Sequence, residues 1–148
     1  MPGTNEQVFV KEMTKMMPAL LREVSKKNES ALTKMNLSLS HIVVLDVLNE
    51  RGPSAMWDIA KSLGLTMSAA TGIVDKMIKM NLVRRERSPE DRRVVKVAIL
   101  KKGKDSIEKV QKMRKDVVRD MYSVLTDEER GQYLRMLKKV YMSMLEEK

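Results

Sequence analysis

Eleven lysines and arginines crowd into residues 76–104: Lys76, Lys79, Arg84, Arg85, Arg87, Arg92, Arg93, Lys96, Lys101, Lys102 and Lys104. Only Glu86, Glu90 and Asp91 oppose them, so this segment carries +8 of the formal +9 of a 148-residue chain. The rest is nearly neutral. Concentrated positive charge on an otherwise balanced body suits a polyanion, most simply nucleic acid. Charge alone also admits a solvated, salt-tolerant face. Other chemistries are short of parts. With no cysteine and a single histidine, His41, the chain has no means for disulfides, thiol catalysis, Cys-based metal or cluster sites, or a His-rich metal centre. No P-loop or Gly-rich dinucleotide motif occurs, and no second histidine supports a triad, so neither an enzyme nor a cofactor is expected.

The elements that must position those charges are mostly helical. Length and a 43% apolar composition suit one globular domain with helical extensions. No run approaches the ~18 apolar residues of a membrane span, and the first residues lack a signal-peptide layout, so a cytoplasmic protein is expected. Apolar spacing predicts a helix over Glu6–Met35, kinked or broken near Met17 by Pro18. A second helix starts at a Ser38 or Ser40 cap, lines one face with Ile42, Leu45 and Leu48, and ends at Gly52-Pro53. Two short helices follow, WDIAKSL and MSAATGIVDKMIKM, separated by Gly64-Leu65-Thr66.

The period then changes from helical to alternating. LVRRERS and RVVKVAILK flank the turn cluster Ser88-Pro89-Glu90-Asp91, which predicts a β-hairpin with Val95, Val97 and Ile99 on one face. Helical spacing returns after Gly103, and Thr126 to Glu129 form a capping-box sequence that starts a last helix. The fold class is therefore mostly α with a small β-hairpin wing: a winged helix-turn-helix framed by N- and C-terminal helices. Thr66 can cap the second of the short helices, while Ile59, Ala60, Leu63, Leu65, Ile73, Val74 and Met77 hold the pair together. Met67, Ser68, Ala69, Thr71 and Gly72 are left facing solvent, small enough to enter a major groove about 12 Å wide. An Arg-rich hairpin beside it suits the adjacent minor groove.

Residues 58–103 resemble the DNA-binding domain of the MarR family of regulators. The most specific element is SPEDRRVV, which is similar to that family's Asp, any residue, Arg signature at the wing tip. The resemblance implies a homodimeric transcriptional regulator, usually a repressor, often released from a pseudopalindromic double-stranded operator by a small anionic or phenolic ligand. It implies residues 1–35 and 104–148 as a helical dimerisation region around a winged helix-turn-helix domain at 36–103. Carried over by position, Arg93 enters the minor groove, Asp91 pairs with it or braces the turn, and Arg92 reaches phosphate. Ser68, Ala69 and Thr71 match positions that meet bases or backbone, and Lys76 matches a basic position near phosphate. Arg84 and Arg87 on the rising strand complete the expected DNA-binding set. Alternation places Arg85 beside Arg87, so at least one of those two can be merely solvated.

Three departures stand out. Gly72 replaces the long polar side chain of many relatives, so readout is expected to lean on the wing and on DNA shape. Ala55-Met56 stands where a Ser/Thr cap is customary, and Lys101 replaces a customary threonine. The competing expectation is an architectural or low-specificity DNA-binding winged-helix protein, which would show a steep salt dependence and little sequence preference.

Overall fold

Strong local start and stop signals set most of the elements. In the computed structural model, which describes residues 4–146, the order is α1 (Thr4–Lys34), α2 (Leu39–Arg51), β1 (Ser54–Ala55), α3 (Met56–Leu63), α4 (Met67–Lys79), β2 (Val83–Arg87), β3 (Val95–Ile99), α5 (Lys101–Met121) and α6 (Asp127–Glu146). The chain divides into two compact units, Met1–Met113 and Arg114–Lys148. Among the described residues no single helix is long and apolar enough to cross a membrane.

Helix α1 runs unbroken through Pro18. Proline removes one donor, and that turn is exposed, so water can satisfy the carbonyl left open. Helix α2 begins at Ser38, not Ser40. Its cap is reciprocal: the Ser38 hydroxyl accepts from the His41 backbone N–H, and His41 Nδ1 accepts from the Ser38 backbone N–H at 3.1 Å. His41 is thus a cap partner and is itself buried.

The core of the first unit gathers one side of each element. Ile42, Leu45 and Leu48 of α2 meet Ile59 of α3, Val74 and Met77 of α4, Val83 and Val97 of the strands, and Ile107 and Val110 of α5. Leu65, expected in this packing, is instead exposed in the α3–α4 turn, where Gly64 adopts a left-handed conformation at φ 65°. The sheet has three strands in the order β1-β3-β2, all antiparallel. The two-residue β1 carries no period of its own and lies outside the expected hairpin. It makes β3 the central strand, in which neighbouring Val97 and Ala98 are both buried. Val95 lies beyond this core toward the wing tip and is 44% exposed, so the apolar face expected for β3 ends at Val97.

Gly103 is required by packing. A Cβ there would lie 2.3 Å from the Leu82 carbonyl oxygen and 2.8 Å from Ile99 Cγ1. That carbonyl accepts the Leu100 N–H at 2.9 Å, so the missing side chain lets α5 press against the strand-to-helix junction. In the second unit, Thr126 and Glu129 form the expected capping box at the start of α6. Tyr122 and Tyr133 pack with ring planes tilted by 44° and centroids 5.1 Å apart, and the Tyr122 hydroxyl donates to that of Tyr133 at 3.1 Å. That shared hydrogen bond, with burial, pushes the Tyr122 phenol up to about 12.

Candidate nucleic-acid interface

Helix α4 is held by its ends. The Thr66 hydroxyl accepts from the Ala69 N–H at 3.2 Å, leaving other first-turn N–H groups directed outward. At the far end Asn81 takes a left-handed conformation (φ 59°), and the Leu82 N–H returns to the Met77 carbonyl, which turns the chain into β2. Lys102 Nζ donates to the Met80 carbonyl at 2.9 Å, tying the start of α5 to the end of α4.

Ala70, Val74 and Met77 fill the buried side of α4. Ser68, Ala69, Gly72, Lys76 and Lys79 are exposed on the other. The helical period places Ser68, Gly72 and Lys79 at the centre of that face, with Ala69 and Lys76 beside them. Lys79 belongs to the face on spacing alone, a signal present in the sequence. Thr71 sits at the edge instead: it is half-buried, and its hydroxyl donates to the Met67 carbonyl at 2.8 Å. Met67 lies on the same edge and is exposed because the helix begins there. Lys76 acts inward as well as outward, since its charge adds to burial in pushing the His41 imidazole below its ordinary value.

The wing turn is braced by its own side chains. The Ser88 N–H donates to the Val94 carbonyl, the Val94 N–H to the Asp91 carbonyl, and the Arg93 backbone N–H to Asp91 Oδ1 at 2.9 Å. Of the two roles open to Asp91, the geometry is that of bracing the turn. The buried Ser88 hydroxyl donates to Glu90, and this bond, with a backbone N–H and Lys96 nearby, holds the Glu90 carboxyl below the usual range.

The strand arginines divide by their partners. Arg85 reaches Asp75 of α4 at 2.6 Å, linking wing to helix. Arg84 donates through Nε and one terminal nitrogen to Glu86 Oε2, at 3.1 and 2.9 Å. Arginine and glutamate two apart on a strand share a face, so that pairing was visible in the sequence; the one with Asp75, ten residues away, was not. Arg87, Arg92 and Arg93 are exposed, and their guanidinium groups make no ion pair among the described residues. The structure therefore brings Ser68, Ala69 and Lys76 onto one face and carries Asp91, Arg92 and Arg93 on the braced turn of a hairpin that Arg85 links to α4. Thr71 and Arg84 are already engaged within the chain. Among the described residues no cluster of His, Asp or Glu has the makings of a metal site.

The sequence and the fold both match known proteins. The MarR family model matches residues 37–95. The HTH-type transcriptional repressor IacR of Pseudomonas putida is 32% identical over 116 residues, covering 78% of this chain and 70% of that one. The chain belongs to the MarR family. A MarR family protein from Bacillus stearothermophilus, of known structure, superposes with a TM-score of 0.81 at 26% identity, covering 97% of this chain and 99% of its own. An S. aureus MepR variant bound to an oligodeoxyribonucleotide shares the fold at a TM-score of 0.71, with 19% identity and 88% and 96% coverage. This MarR family member is a transcriptional regulator with a mostly helical winged helix-turn-helix fold.

Proposed function

We propose that this MarR family member is a homodimeric repressor that binds a pseudopalindromic double-stranded operator, acts in the cytoplasm and carries out no catalysis. The observation that supports this best is the set of wing guanidinium groups that make no ion pair among the described residues: Arg87 at the end of β2, and Arg92 and Arg93 on the turn that Asp91 braces, in a hairpin that Arg85 ties to α4. In this reading α4 lies in a major groove with Ser68, Ala69 and Thr71 nearest the bases, the Thr71 hydroxyl acting there only as an acceptor. Lys76 and Arg92 meet phosphate, and Arg93 enters the flanking minor groove, where narrow A·T tracts attract guanidinium. Arg84 acts mainly through Glu86.

Residues 1–35 and 104–148 form the proposed dimerisation region, and residues 36–103 the DNA-binding domain; residues 1–3 and 147–148 lie outside the described residues. Within the described part, α6 buries none of its residues in its own chain, while Leu134, Leu137, Val140, Tyr141 and Met144 are exposed. Phe9, Met16, Leu20 and Leu21 of α1 are exposed as well. Apolar faces of this size on two helices favour a second copy of the chain. Arg119 and Arg130 line an apolar groove beside the tyrosine pair; Arg130 is spent on the Tyr122 and Leu125 carbonyls and on Asp127, and Arg119 on Asp116, so among the described residues the groove offers no free cation to an anion. A small anionic or phenolic effector is proposed from the family alone. A panel of aromatic carboxylates and phenols that shifts neither melting temperature nor DNA affinity would remove it.

Selection of bound duplexes from a randomised pool, with bulk DNA as competitor, tests the whole reading. The expected product is a site with two half-sites about one helical turn apart, bound by a dimer. Enrichment without a shared sequence, with a steep salt dependence, would favour the architectural alternative. A monomer by light scattering at micromolar concentration would overturn the dimer.

A further inference from the structure

We propose that Gly72 is a specificity determinant: it keeps the centre of the exposed α4 face bare, so that thymine C5-methyl groups pack directly against Gly72 and the Ala69 methyl. This rests on the DNA-binding reading above. The helix-turn-helix, the family and the free wing arginines define the site, and Gly72 decides what that site reads.

Gly72 has no role in the fold. It is the sixth of thirteen residues in α4, away from both caps, and its φ is not positive. A Cβ built there meets nothing within 4 Å. Gly103, by contrast, has a carbonyl oxygen 2.3 Å from where its Cβ would be. Glycine inside a helix is less stable than alanine, and among the described residues nothing offsets that cost at residue 72. The space it leaves open faces outward, on the same line as Ser68 and Lys79.

The first two turns of the face lack the usual means of reading bases, and the lysines, Lys76 and Lys79, come only in its last two turns. Hydrogen-bonded readout in the major groove relies on the forked or charged ends of Arg, Lys, Asn, Gln, Asp and Glu. None of these occurs from Thr66 to Val74. Asp75 is held by Arg85, and the Thr71 hydroxyl proton is given to the Met67 carbonyl. Ser68 alone offers an uncommitted hydroxyl, which suits several bases. The group that distinguishes one base in the major groove without a hydrogen bond is the thymine methyl, and small apolar residues are what pack against it.

The test uses the full chain and the duplex it selects from a randomised pool. Each thymine is replaced in turn by deoxyuridine, which keeps every pairing and hydrogen-bonding group and removes only the methyl. At half-site thymines the expected loss is about fourfold per methyl, from the burial of one carbon. Gly72→Ala should raise the melting temperature of the free protein. On the thymine duplex it should weaken binding about tenfold, an overpacking cost of ~1.4 kcal/mol. On the deoxyuridine duplex the deficit should shrink, because the lost methyl makes room for the new Cβ. An enriched duplex indifferent to deoxyuridine, or Gly72→Ala binding as tightly as the parent, would overturn this inference alone. A pool from which no duplex is enriched would overturn the DNA-binding reading beneath it.

Discussion

Arg92→Ala asks whether the charge on the wing acts through particular phosphates or as a general field. The Arg92 guanidinium is exposed and makes no ion pair among the described residues, so all of its charge is available to DNA. Each phosphate neutralised on B-DNA contributes about 0.9 to the slope of log affinity against log salt. A homodimer presents two wings, so the variant should lower the slope by ~1.8. Between about 50 and 200 mM salt, a fourfold change, that difference amounts to about twelvefold in affinity. The measurement is a fluorescence-anisotropy titration of the selected duplex at several salt concentrations. The control is Arg84→Ala combined with Glu86→Ala, which removes the bidentate pair at constant net charge and should leave the slope unchanged. Equal slopes for Arg92→Ala and the parent would refute the phosphate role. An Arg84/Glu86 double variant that loses as much slope as Arg92→Ala would refute the division of the arginines by their partners.

Three further outcomes are expected. Arg93→Ala should weaken operator binding while dimer and wing turn persist, because Asp91 accepts from the Arg93 backbone rather than its side chain; unchanged affinity would end the minor-groove assignment. Neutral His41 is the form that accepts the Ser38 N–H, and burial, helped by Lys76, holds its pKa below the ordinary value. That contribution is complete above the unfolded value of about 6.5 and is lost as pH falls below it. Melting temperature should therefore drop from about pH 7.5 to 5.5, and His41→Gln, which keeps a capping-box residue, should flatten the drop. Gly103→Ala should cost about 1–3 kcal/mol in denaturant unfolding, since its Cβ displaces either the Leu82 carbonyl or Ile99; full stability would show that the junction yields freely.

Much of the fold was legible because its signals are local. The Ser38 and Thr66 caps, Gly64 in the turn, and the Thr126–Glu129 capping box each act within four residues of themselves. So does the change from helical to alternating period that announces the wing. The Asp91 brace was legible too, being two residues from Arg93, although its choice of the backbone over the guanidinium needed coordinates. Leu65 misled because an apolar residue in a tight turn has no neighbouring turn of helix to direct it inward, and packing left it outside.

The sequence by itself determined the order of elements, the place where positive charge collects, and the absence of thiol chemistry. These depend on residue type and on contacts only a few positions apart. Tertiary structure alone decided how β1 joins the sheet, and that Arg85 reaches back to Asp75. It also separated a glycine that packing requires, Gly103, from one that packing ignores, Gly72. Each of these depends on residues distant in the chain meeting at a few ångströms, a distance that no periodicity encodes.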